Sequence, residues 1–176
     1  MRFIAAPLKG TYPAYAEMYL NTLPPATDVL QYLSASFNEI KTLVSGLSEE
    51  QLLFRYEPGK WSIKEVLVHL VDDERIYSYR ALRFARNDHA ALPGFDQDEY
   101  NRYAEADQRR LDNILDEYAT VRFATISLFN NLPEASLDRG GVADNHETSV
   151  RGLVWHIAGH QQHHINIIRQ KYLTAR

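Results

Sequence analysis

The stretch Trp61-Ser62-Ile63-Lys64-Glu65-Val66-Leu67-Val68-His69-Leu70-Val71-Asp72-Asp73-Glu74 contains a start signal, an apolar period and a polar interruption, in that order. Ser62 and Glu65 make a capping box: the hydroxyl accepts from one orphan amide of the first turn and the carboxylate reaches back to another. At about 100° per residue, Val66, Leu70, Tyr77 and Phe84 fall on one arc. The spacing predicts a long helix from Ser62 to about Arg86 with one buried face.

The same period recurs on both sides. Val29, Leu30, Leu33, Phe37, Ile40, Leu43 and Val44 predict a helix over about Thr27 to Val44, closed by Gly46, with Ser48 and Gln51 capping one further turn. Leu111, Ile114, Leu115, Tyr118, Val121, Arg122, Thr125 and Leu128 predict a third long helix, from about Asp107 to Asn131, stopped by Pro133. Ser149 is placed to cap a fourth, reaching about Tyr172. Tyr12 to Leu20 is a short lead-in closed by Pro24-Pro25, and Asp98 to Ala104 a short helical stretch. Gly140-Gly141 and Asp144 to Thr148 read as loop. Four long helices without a strand make an all-α bundle in one domain, residues 1–176, with 1–26 as its N-terminal segment. The segments Gly46 to Trp61 and Asn87 to Glu105 are long enough to cross over the bundle.

Composition narrows the function classes. A chain of 176 residues buries a core without staples, and 45% hydrophobic with 24% charged residues is ordinary for a globular protein. A net charge of -4 argues against nucleic acid, which calls for a basic stripe. Apolar runs are far short of the roughly 20 residues that span a bilayer. The opening Met1-Arg2-Phe3-Ile4-Ala5-Ala6-Pro7 is too short in its apolar part for a signal peptide, so a cytoplasmic protein is expected. The absence of cysteine permits a reducing interior and leaves nitrogen and oxygen as metal ligands.

Four of the seven histidines lie between His156 and His164. Most histidines on helices are hydrogen-bonded surface residues; a metal site is the alternative, because neighbours at i and i+4 stand on one face. With His160 at zero, the apolar residues of the last helix cluster between about +20° and +120°. His164 falls at about +40°, inside that arc, and His160 at its margin; His156 and His163 fall at about -40° and -60°, away from the core. The inward pair is therefore His160 and His164, with His156 and His163 left to solvent or supporting roles. His69, at the edge of the apolar arc on the second long helix, is the candidate third ligand. Asp72 is the candidate carboxylate to accept its second N–H. Asp73 and Glu74 read as a solvated acidic patch pairing with Arg75 or Arg80. His89 and His146 are expected at the surface.

These motifs resemble a known family. Trp61-Ser62-Ile63-Lys64-Glu65-Val66 leading to His69-Leu70-Val71-Asp72 and Arg80-Ala81-Leu82 looks like the second helix of the DinB-like (DinB/YfiT) superfamily. Gly159-His160-Gln161-Gln162-His163-His164 looks like its last-helix motif. Leu92-Pro93-Gly94-Phe95-Asp96 and Val121-Arg122 extend the likeness. The resemblance implies a four-helix bundle of up-up-down-down topology, a homodimer, and a divalent metal on His69, His160 and His164, zinc or nickel first, then iron or manganese. Relatives often have Glu where this chain has Gln161. Characterised branches are transferases and isomerases using a low-molecular-weight thiol such as bacillithiol, mycothiol or glutathione.

Two classes of function follow. The first is a metal-dependent enzyme on a small-molecule substrate: foremost a thiol S-transferase, whose sulfur the cofactor must supply, with a hydrolase using activated water as the runner-up. The second is a non-enzymatic, metal-stabilised binding module linked to stress. An open coordination position favours the enzyme; a fourth protein ligand favours the module.

Overall fold

A computed structural model describes residues 1–174. The four long helices form where their apolar periods lie: α2 (Val29–Val44), α4 (Ile63–Ala85), α6 (Leu111–Asn131) and α7 (Val150–Ile167). Three short helices join them: α1 (Glu17–Leu20), α3 (Glu49–Leu52) and α5 (Gln97–Ala104). The Ser48 and Ser62 capping boxes both close, and Ser149 accepts from the Gly152 amide at 3.0 Å. The third long helix starts four residues later than the apolar period suggests, because Glu105 turns left-handed (φ 48°) and frees Asp107. Asp107 then accepts from the Ser62 hydroxyl and pairs with Arg55 at 2.8 Å. Past α7 the chain widens into a π-helical turn, Ile168–Tyr172, whose Tyr172 hydroxyl donates to the Trp61 carbonyl at 2.6 Å.

The all-α four-helix bundle stands as read, but the order of directions differs from up-up-down-down. Tyr172 meets Trp61 while Tyr77 stacks on His156, so α4 and α7 are antiparallel. Lys64 donates to the Arg109 carbonyl and Ser78 pairs with Thr125, so α4 and α6 are parallel. Tyr32 reaches Gln162 and Glu39 pairs with Arg169, so α2 and α7 are parallel. In chain order the helices run up, down, down, up. Consecutive parallel helices need a link as long as the bundle, and residues 86–110, with α5 inside them, supply it.

Residues 140–149, read from sequence as loop up to Thr148, are a hairpin. Strands β1 (Gly140–Ala143) and β2 (His146–Ser149) pair antiparallel with Gly140 opposite Ser149. Asp144 and Asn145, at φ 51° and 61°, make the two-residue turn that suits the strand twist. The hairpin lies on Phe84, whose ring leaves no room for a Cβ at Gly141.

The core divides into two apolar clusters. One gathers Leu30, Leu33, Tyr77, Phe84, Phe129 and Trp155; the other gathers Ile40, Ile63, Leu67, Ile114, Tyr118 and Ile165. On every long helix a polar step separates them: Ser36 on α2, Asp73 and Glu74 on α4, Arg122 and Thr125 on α6, and His160 and Gln161 on α7, all buried. Within that layer Arg122 donates to both carboxylate oxygens of Glu74 (2.7–3.2 Å), to the Leu33 carbonyl at 2.6 Å, and to Gln161.

Candidate metal centre

The polar layer holds the histidines. His69 projects from α4 and is 5% exposed; His160 and His164 project from α7 one turn apart. The Nε2 of His160 lies 3.2 Å from Nε2 of His69 and 3.1 Å from Nε2 of His164. The three rings offer nitrogens that all lie within 4.8 Å of one another, a group able to hold one metal ion. The pair chosen by the helical projection and the histidine on the second long helix thus come together.

The carboxylate at this site is Asp73, not Asp72. Asp73 is buried, with Oδ2 3.1 Å from Nδ1 of His160 and 3.7 Å from Nε2 of His156. Asp72 is half-buried at the rim, 3.7 Å from Arg75. Nor do Asp73 and Glu74 form a solvated patch: Asp73 serves His160 and Glu74 is 1% exposed on Arg122. Asp73 lies one full turn past His69, and the face it occupies is the one α7 covers. A carboxylate at Nδ1 holds the proton there and turns the Nε2 lone pair toward the cluster.

His156 also departs from the reading. It is 4% exposed, stacked flat on Tyr77 at 3.9 Å and met edge-on by Tyr19 at 5.2 Å. The single apolar arc of α7 left this side uncovered, but α1 packs across it. The approach depends on Gly159, where a Cβ would stand 2.3 Å from the Tyr19 carbonyl oxygen. His163 is half-buried against Tyr19, while His89 and His146 are exposed as expected. One signal in the sequence could have found His156: it continues the row His156, His160, His164 at steps of four. Asp73, His156 and His160 form a second group whose donor atoms lie within 4.8 Å, sharing His160 with the first.

Burial sets the charges. It lowers the pKa of His69 to about 4, with help from His160, and takes His164 well below the ordinary imidazole value. His156 is lowered too, since burial outweighs its carboxylate neighbour. Burial alone would raise Asp73, but His160 and His156 more than reverse it, leaving a carboxylate at neutral pH. His69, His156 and His164 are therefore neutral with lone pairs available. A cavity of about 730 Å³ opens beside His160 and His156, walled by Tyr15, Tyr19 and Tyr77 and by the segment Gly94 to Asp98.

Known proteins are similar to this chain. A protein of Oceanobacillus iheyensis named "Putative metal-dependent hydrolase" is 28% identical over 156 residues, covering 84% of this chain and 86% of the relative. A protein of the same name from Geobacillus thermodenitrificans is 28% identical over 135 residues, covering 74% and 71%. Among solved structures, YfiT from Bacillus subtilis, described as a probable metal-dependent hydrolase with an unusual four-helix bundle topology, superposes with a TM-score of 0.73. That likeness, at 17% identity, covers 93% of this chain and 89% of YfiT and establishes the shared fold. Residues 32–168 match the model of the DinB superfamily, and over that span, well beyond half its length, the chain belongs to the DinB superfamily.

Proposed function

We propose that the protein is a divalent-metal-dependent hydrolase of a small-molecule substrate, with His69, His160 and His164 as the metal ligands. The observation that carries this reading is the convergence of three Nε2 atoms at 3.1 and 3.2 Å steps. The donor set fits a cation: the rings of His69 and His164 are neutral, and His164 Nδ1 is buried without a hydrogen-bond partner. Three imidazoles from two helices match the ligand count of catalytic rather than closed sites. Nitrogen donors suit zinc and nickel, with iron and manganese as lesser candidates. The names of the curated relatives support the same chemistry.

A divalent ion held there supplies Lewis-acid polarisation and acidifies water near neutral pH. The chain supplies the rest. Asp73 keeps the proton on His160 Nδ1 and so fixes which nitrogen faces the cluster. Tyr19 and Tyr77 line the cavity, and burial raises the pKa of both, so their hydroxyls stay protonated as donors. Tyr77 is held by the Tyr15 hydroxyl at 3.2 Å. A thiol transferase would use the same ligands, its sulfur coming from the cofactor because the chain has no cysteine. The carboxylates of Asp96, Asp98 and Asp144 on the cavity wall weigh against an acidic thiol such as glutathione and toward the hydrolase.

His160→Ala is expected to abolish stoichiometric metal, read by elemental analysis of purified protein; full retention would sink the ligand assignment. For the reaction, hydrolysis of an ester and amide panel should vanish on chelation and return on adding back zinc or nickel. Activity unchanged by chelation would refute the metal-dependent hydrolase.

A further inference from the structure

We infer that Arg80 anchors a second binding pocket, separate from the histidine cluster, which takes a small carboxylic acid with an apolar body. Arg80 is 4% exposed. Its Nη2 donates to the Pro93 carbonyl at 3.0 Å, and its guanidinium lies 5.0 Å from the centre of the Tyr77 ring. No carboxylate among the described residues lies within the 4.0 Å of an ion pair with it. The contrast is Arg122, equally buried, which is held by both oxygens of Glu74. A buried cation without a counter-charge is costly, and an anionic ligand removes that cost.

Arg80 lines a cavity of about 310 Å³. The other walls are chiefly apolar and aromatic, from Ile76, Leu92, Phe95, Tyr79 and Tyr100. No acidic residue lines it, and its other cation, Arg75, is already paired with Glu117 at 2.5 Å. The neighbouring cavity beside His160 has the opposite sign, carrying Asp96, Asp98 and Asp144, so an organic anion is sorted toward Arg80. One planar guanidinium fork matches one carboxylate, whereas a phosphate dianion calls for more donors than these walls offer. The volume is at the small end of ligand sites and suits a single ring or short chain.

Benzoate and its neutral isostere benzamide test the assignment by calorimetric titration of metal-loaded and chelator-treated protein. Benzoate is expected to bind both forms alike, with benzamide roughly tenfold weaker or more, since a hydrogen bond to a charged group is at stake. Arg80→Met should weaken benzoate by roughly tenfold to a hundredfold and leave benzamide unchanged. Equal affinity for the two probes, or undiminished benzoate binding by Arg80→Met, would overturn the proposal. So would benzoate binding that disappears on chelation, which would place the carboxylate on the metal instead. Should Arg80→Met fail to fold, Tyr100→Ala decides: this wall residue is 49% exposed, and its loss should weaken benzoate several-fold. Unchanged affinity there would count as refutation. Because the chelated form is tested directly, failure of the metal reading leaves this result intact.

Discussion

Gly159→Ala is the sharpest test of how the N-terminal segment closes the site. An ideal Cβ at this position lies 2.3 Å from the Tyr19 carbonyl oxygen, 2.6 Å from its carbon and 3.1 Å from the Leu20 nitrogen. Real Cβ atoms essentially never approach within 3.0 Å, so α1 must retreat by about 0.7 Å or more, and the obstacle is backbone that cannot rotate aside. In an open helix interior the change from glycine to alanine gains about 0.8–1 kcal/mol. Overpacking a well-filled contact costs about 1–3 kcal/mol, so a net loss of about 1 kcal/mol is expected. The retreat also lifts Tyr19 from His160, His156 and His163, whose ring centres now lie 5.0, 5.2 and 5.3 Å away. Urea unfolding measures the first effect, and a higher KM in the metal-dependent assay measures the second, with metal content unchanged because the donor atoms lie on α4 and α7. Gly46→Ala is the control, since nothing lies within 4 Å of a Cβ there. A Gly159→Ala protein more stable than wild type by about the open-helix gain, with kinetics unaltered, would refute the close-approach argument.

Asp73→Asn keeps the shape but not the charge beside His160 Nδ1, and metal affinity should fall about 10- to 100-fold in competition with a chelator; an unchanged constant would remove Asp73 from its positioning role. Glu74→Ala leaves Arg122 buried and unpaired and should cost about 3–5 kcal/mol in urea. The double change Glu74→Leu with Arg122→Met should recover much of that loss, and no recovery would mean the wider network matters more than the pair. The metal-free protein should weaken in acid. His69 has a folded pKa of about 4 against an ordinary 6.5, so between these values the unfolded chain binds the extra proton. Stability is therefore full above pH 6.5 and falls by about 3 kcal/mol as the pH drops to 4, with His164 acting in the same direction. A flat profile of urea midpoints over that range would contradict the buried neutral imidazoles.

Much of the fold was legible because its signals are local. Capping at Ser62 and Ser149 and the 3.6-residue periods put the long helices within a few residues of their observed bounds. The exceptions arise where tertiary contacts decide. Asp107 fits the helical pattern, yet it is taken up by Ser62 and Arg55, and the helix starts later. The hairpin was hidden because its strands are four residues each, too short for alternation to show, although Asp144-Asn145 is a turn signal in itself. Helix direction cannot be read from loop length when two segments are both long enough to cross, and side-chain pairs such as Tyr32 with Gln162 were needed.

The candidate site was legible to the same degree, and for a related reason. A projection onto one helix assumes a single buried face, which found His160 and His164 and misplaced His156, since α7 is covered on a second side by α1. The same assumption made Asp72 the candidate partner of His69 and left Asp73 and Glu74 as a solvated acidic patch. Consecutive residues on a helix point about 100° apart, and in a bundle those directions meet different partners. Asp72 meets the rim at Arg75, Asp73 meets His160 on α7, and Glu74 meets Arg122 on α6. A run of three carboxylates in the middle of a long amphipathic helix is expensive to bury unless each has its own counter-charge or donor. Its presence between two apolar clusters is thus the sequence mark of a polar layer crossing the whole bundle. Within that layer Arg122 neutralises Glu74 on one side. On the other, the Asp73 carboxylate stays ionised beside His160 and His156, next to the three converging Nε2 atoms. A cation among those nitrogens would set a positive charge beside the Asp73 carboxylate, so the layer that gathers the buried polar residues is also the one that gathers the candidate ligands.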